Sequence, residues 1–168
     1  NKVNLNTNFI NYLGTTWANK IATTTWKVGG NTYDNIANTI PSKTYQNEIV
    51  NPDATNTTDN ATTYNAKIGL MYVSDYGFAA TPSAWSYAIN YYWNDHIVSN
   101  NWMYMGLDEW PISRISEVSF AIVVMTNDGG VGGNNANCYY AGRAVFNLET
   151  SITYKSGAGT MNDPIIIN

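Results

Sequence analysis

The stretch IGLMYVSDYGFAA, residues 68–80, runs apolar from Ile68 to Val73 and then meets Ser74 and Asp75. A Ser oxygen can accept the free N–H groups of a first helical turn, so this stretch reads as a strand delivering the chain into a short helix at 74–80, with Ser74 as the cap. Two further blocks flank the reading. NNWMYMGLDEWPISR, residues 100–114, reads as an aromatic strand anchored by Trp102, Tyr104 and Trp110. The segment from Tyr139 to Ile167 reads as strands closed by the turn Gly157-Ala158-Gly159.

Outward from these blocks the pattern is mixed. Leu13, Trp17 and Ile21 recur every fourth residue and predict a short helix within 11–22. Thr23 to Val28 is β-branched and aromatic, Gly29 and Gly30 tolerate a tight turn, and Asn31 to Tyr33 resumes, which predicts a β-hairpin. Residues 47–65 lose all hydrophobic period around Pro52 and read as a long exposed loop carrying two sequons, at Asn56 and Asn60. Trp85, Ala88, Ile89 and Tyr92 follow the i, i+3, i+4, i+7 rule behind Thr81-Pro82, predicting a second helix. Phe120 to Met125 reads as a strand buried on both faces. Asn127 to Asn137, with four glycines, reads as a loop of the kind that presents ligand contacts. With no repeat and no linker-like break, residues 1–168 are expected to form a single α+β domain.

Composition narrows the function. Charged residues are only 12 % of the 168, and Asn and Thr together make up about a quarter of the chain, so amides and hydroxyls carry its solubility. The net charge is −4 and the only two arginines are Arg114 and Arg143, so no basic stripe exists to neutralise phosphates, and nucleic acid is not an expected partner. No segment approaches the ~20 apolar residues of a membrane span. The first residues resemble neither a signal nor a transit peptide and lack a starting Met, so the chain is expected to be part of a longer precursor. Cys138 stands alone without a cationic neighbour in sequence, which fits an inert thiol.

The motifs resemble a known fold family. Residues 68–80 are similar to the strand-to-helix junction of bacterial C-type-lectin-like domains, including the formylglycine-generating-enzyme type. Asn101-Trp102 through Trp110-Pro-Ile-Ser113 resembles the tryptophan-rich strand of that fold, and Gly142-Arg143-Ala-Val-Phe146 its closing strand. The chain is also similar, over most of residues 20–167, to bacterial surface domains with an IGL-x-x-x-SDYG junction, an NNW…EW-x-(I/L)-S segment and a final RPV…GTG-x-x-x-DP strand. Here Ala144 replaces the usual Pro, and the last motif reads Gly157-Ala-Gly159-Thr-Met-Asn-Asp163-Pro164. The resemblance implies a C-type-lectin-like architecture: a mainly antiparallel twisted sheet, two or three short helices and long loops. It also implies an extracellular location on a bacterial cell surface, in pilin-like or wall-anchored proteins.

Chemistry is sparse. Formylglycine generation needs a reactive Cys pair and the chain has one Cys; adjacent Asp108 and Glu109 on a strand would face opposite ways; His96 has no nucleophile elbow. A non-catalytic adhesion or ligand-binding module is therefore expected, with the structural subunit of a pilus-like filament as the alternative. Asn100, Asn101, Asn134 and Asn135 are candidates for a polar rim, with Trp102, Tyr104, Tyr139 and Tyr140 supplying aromatic faces for a protein or glycan, or else alternating into the core. Trp93-Asn94-Asp95 matches the calcium-ligating triplet of sugar-binding C-type lectins, which makes Asn94 and Asp95 the candidates for a calcium-dependent sugar site. The triplet, however, precedes the Trp102 segment rather than lying on a late strand, and follows a predicted helix whose C-terminal surface it would form.

Overall fold

A computed structural model describes residues 3–52 and 61–168. The fold is α+β, with mostly antiparallel strands and few, short helices. In chain order the elements are α1 (Ile10–Ala18, continuing a π-helical turn Asn4–Phe9), β1 (Thr24–Lys27), α2 (Tyr33–Ile36), α3 (Pro41–Tyr45, running into a π-helical turn Gln46–Val50), β2 (Thr63–Ala66) and β3 (Ile68–Leu70). Then follow α4 (Val73–Phe78), two 3-10 turns (Pro82–Ser86 and Ile89–Tyr91), α5 (Asp95–Val98), β4 (Glu109–Trp110), β5 (Ala121–Met125), β6 (Val131–Asn135), β7 (Ala141–Gly142), β8 (Ala144–Phe146), β9 (Tyr154–Ser156) and β10 (Ile166–Ile167). No described helix is long and apolar enough to cross a membrane.

Contacts divide the chain into two compact units, residues 25–64 with 69–145 and residues 1–24 with 65–68 and 146–168. The larger unit holds a four-stranded sheet in the order β6-β5-β4-β7, antiparallel except where β4 runs parallel to β7. Its core gathers Ile36, Met71, Val73, Tyr76, Ile89, Tyr92, Val123 and Met125, each at most 2 % exposed. In the smaller unit Asn6 exchanges two bonds with the Ile68 backbone, at 2.8 and 2.9 Å, and Ile21 bridges Leu148. There, β9 and β10 form an antiparallel pair as expected, but residues 157–165 connect them, not the three-residue turn Gly157-Ala158-Gly159 alone.

Residues 68–80 do carry a strand into a helix, but the cap differs from the one expected. Tyr72 is the N-cap residue: its N–H donates to Oδ2 of Asp75 at 2.9 Å, while Ser74 lies inside the helix with a buried hydroxyl that caps nothing. The glycines of this motif are contact points. A Cβ on Gly69 would lie 2.6 Å from the Trp26 indole, and one on Gly77 would lie 2.8 Å from Ile89 and 2.9 Å from Pro41. Both admit a neighbour that any side chain would displace.

Several expectations fail for identifiable reasons. The hairpin at 23–33 does not form: β1 pairs with β2, and Thr32 instead accepts the Asn35 N–H to cap α2. The stretch 47–65 is not a uniform exposed loop, since Asn47 and Glu48 are buried in the turn Gln46–Val50 and residues 63–66 form β2. Asn56 and Asn60 of the sequons lie outside the described residues. The helix read across 85–92 is two 3-10 turns separated by extended Tyr87 and Ala88; Ile89 and Tyr92 are buried as expected, but Trp85 is exposed. In the aromatic block only Glu109 and Trp110 are strand, because Trp102 to Leu107 follows turns. Phe120 is 63 % exposed and precedes β5, of which only Val123, Val124 and Met125 are buried throughout. The glycine-rich loop contains β6: Gly132 and Gly133 pair with Val124 and Val123, and Gly133 lies where a Cβ would come within 2.8 Å of Ile115.

Candidate functional site

Two buried polar networks place the residues around Trp102. In the first, the Glu48 carboxylate, 1 % exposed, accepts the Ser74 N–H at 2.8 Å and the Ser113 hydroxyl, whose oxygen accepts the Val73 N–H at 3.4 Å. Glu48 thus caps α4 from a distant segment. Burial pushes its carboxyl up to about 7, against the opposing pull of the Ser113 and Ser74 hydrogen bonds. In the second, Arg143 pairs with Glu109 through Nη2 at 2.5 Å and Nε at 3.3 Å, and Nη2 also donates to the Met103 carbonyl at 2.7 Å. A two-pronged guanidinium contact of this kind fixes orientation as well as charge.

The second network reaches the 101–104 turn at the Met103 carbonyl, while the first holds the start of α4. Asn101, 5 % exposed, donates its amide to the Tyr76 carbonyl at 3.0 Å and accepts the Met103 N–H at 3.0 Å. The Trp102 N–H reaches the Ala79 carbonyl at 3.4 Å. The backbone is therefore tied to the end of α4 while the Trp102 ring is 79 % exposed. Beside it lies an open groove of about 490 Å³. Buried Met71, Ala79 and Met103 meet exposed Phe78 and Trp102 there, with Asp75 and Arg143 as the charged members of the lining.

The expected polar rim does not assemble as one site. Asn100 is exposed and donates to the His96 carbonyl, at 2.8 Å, as a local turn contact. Asn101 is a buried structural amide. Tyr104 is half-buried, and its hydroxyl holds the Asn127 carbonyl at 2.8 Å. Asn134 donates to the Tyr140 hydroxyl at 2.5 Å, Tyr140 packs on Trp110 with ring centres 4.8 Å apart, and Cys138 lies 3.6 Å from Asn134. Asn135 is exposed on β6, and Tyr139 is wholly exposed rather than packed in the core. Of the eight candidates only Trp102 lines the groove.

Asn94 and Asp95 are exposed, and they open α5 rather than close a helix: Asn94 Oδ1 accepts the His96 N–H at 3.1 Å as an N-cap. Among the described residues no group of three or more His, Cys, Asp or Glu is placed to hold a metal ion.

Sequence reasoning missed Met71, Phe78, Asp75 and Arg143 as groove residues. Arg143 had a signal, being one of only two arginines in a chain so poor in charge. Phe78 and Met71 had none, because apolar residues beside a strand-to-helix junction read as core. No family model, curated protein or solved structure matches this chain.

Proposed function

We propose that this chain is a non-catalytic binding module of the bacterial cell surface whose groove beside Trp102 receives an apolar or aromatic side chain of a protein ligand. The observation that carries the reading is a large aromatic ring, 79 % exposed, on a backbone fixed by hydrogen bonds over a groove of about 490 Å³. Trp, Met and Arg are the residue types enriched in protein interfaces, and all three line it. With the backbone already fixed, only the ring's own torsions are left to order on binding. The architecture is read as C-type-lectin-like; short helices and mostly antiparallel strands support that reading, as do the motif resemblances.

The test is selection of a displayed random peptide library on the wild-type chain, followed by affinity measurement on Trp102→Ala and Phe78→Ala. Peptides with an aromatic or large aliphatic anchor that lose at least tenfold in affinity on either variant support the groove. Absence of enrichment, or peptides indifferent to both substitutions, overturns it. A filament subunit is the second reading, favoured by the 146–168 segment, where Tyr154, Met161 and Ile165 are 64 %, 96 % and 52 % exposed. Sedimentation that stays monomeric at the highest soluble concentration argues against it.

A further inference from the structure

A second depression, built independently of the Trp102 groove, lies on the 81–97 segment. It has a volume of about 340 Å³ and is lined by Tyr87, Tyr91, Trp93, Asn94, His96 and Ile97. The three aromatic rings are 56 %, 56 % and 52 % exposed. Single exposed aromatics need no explanation, but three facing one depression do.

The segment that carries them is anchored, not loose. Ala84, Ile89, Tyr92 and Ile97 are buried between the exposed rings, and the Tyr92 hydroxyl lies 3.2 Å from both the Gly77 and Ala84 carbonyls. Asn94 is fixed as the α5 cap through Oδ1, which leaves its Nδ2 as the atom available to a ligand. Among the described residues the side chains of Tyr87, Tyr91, Trp93 and His96 make no hydrogen bond. The lining contains no Asp, Glu, Lys or Arg.

A second hollow, of about 220 Å³, adjoins the first and shares Tyr87, His96 and Ile97 with it. Its other lining includes Thr81 and Ser83, whose hydroxyls lie 3.1 Å apart. An aromatic platform therefore continues into a hydroxyl-lined compartment. The first volume lies at the lower end of the usual small-ligand range of about 300–1,000 Å³.

From this arrangement we infer that the 81–97 surface binds a neutral oligosaccharide, one sugar ring stacking on Trp93 and Tyr91 and the next reaching the Thr81–Ser83 hollow past Tyr87 and His96. Uncharged lining suits an uncharged ligand. Flat rings cover the apolar C–H face of a pyranose without requiring a counter-charge. The phenol, aliphatic hydroxyl and imidazole groups each give and take hydrogen bonds, as sugar hydroxyls do. A proline-rich peptide, the other common occupant of aromatic grooves, offers carbonyl acceptors without matching donors and would leave half of this capacity unused.

The experiment uses the full chain and a panel of cellotetraose, chitotetraose, maltotetraose and mannotetraose. Binding is followed by amide chemical shifts and tryptophan fluorescence, with octaproline as the peptide comparison. The expected result is that at least one tetrasaccharide binds, perturbing the 81–97 amides. Trp93→Ala and Tyr91→Ala should each weaken binding at least tenfold, while Trp102→Ala leaves it unchanged. Both rings are about half exposed, so the variants should keep the wild-type amide spectrum elsewhere, which separates lost binding from lost folding. The proposal is overturned if no tetrasaccharide binds at 10 mM, if binding survives both substitutions, or if octaproline alone binds.

Discussion

Replacing Glu48 by Gln isolates the proton held under α4. In the folded chain the carboxyl titrates at about 7 instead of 4.5, mainly because burial penalises its charge. The folded state therefore holds this proton more tightly than the unfolded state does. Between pH 4.5 and 7 the unfolded chain gives the proton up while the folded chain keeps it, so stability falls as pH rises through that window. A difference of 2.5 units (7 minus 4.5) at about 1.4 kcal/mol each is on the order of 3 kcal/mol, fully present below the lower value and lost above the upper one. Gln keeps the shape, accepts the Ser74 N–H through its carbonyl, donates to the Ser113 oxygen and never ionises. Guanidinium unfolding followed by tryptophan fluorescence at pH 5, 6, 7 and 8 should show a wild-type stability that declines across the series. The variant should be flatter, and more stable than wild type at pH 8 by up to about 3 kcal/mol. Parallel pH profiles for the two proteins would refute the reasoning, as would a wild type that grows more stable from pH 5 to 8.

Gly77→Ala sets a methyl against Pro41 and Ile89 and should cost about 1–3 kcal/mol by overpacking, read as a lower thermal midpoint. Arg143→Ala leaves Glu109, 4 % exposed, without its cation; chemical unfolding should show a loss of about 3–5 kcal/mol, whereas Arg143→Lys should recover part of it. Calcium at millimolar concentration should release no heat on titration and leave the thermal midpoint unmoved, because Asn94 Oδ1 is engaged as a helix cap and, among the described residues, no group of three or more His, Cys, Asp or Glu is placed to hold an ion.

The motif residues were legible as a pattern, and the structure explains what the pattern is for. Ser74, Gly77, Asn101, Glu109, Ser113 and Arg143 all lie in the junction, the tryptophan segment or the closing strand, and each serves a buried bond or a close approach. Glu48 was not legible, because a lone carboxylate in an Asn-rich stretch reads as solvated until the chain folds it under α4. The periodicity at 85–92 marked Ile89 and Tyr92 as inward-facing, but spacings of three and four residues are also met by successive 3-10 turns. Gly132 and Gly133 misled in the opposite sense: glycines that usually break strands here sit within β6, and Gly133 lets the strand lie close to Ile115.

What the sequence by itself determined is local: a strand running into a helix at 68–80, an apolar strand within 120–125, an antiparallel strand pair on either side of Gly157 and Gly159, and a composition of amides and hydroxyls instead of charges. These follow from short-range dihedral preference and side-chain periodicity. Only the tertiary structure decided which strands pair, which carboxylates are buried and which aromatics remain outside. Those outcomes depend on partners tens of residues away, such as Glu48 with Ser113 or Glu109 with Arg143. A tyrosine or tryptophan carries the same apolar body and polar tip whether it ends as Tyr92 in the core or as Trp102 and Trp93 on the surface. Its fate is set by what the rest of the chain packs against it.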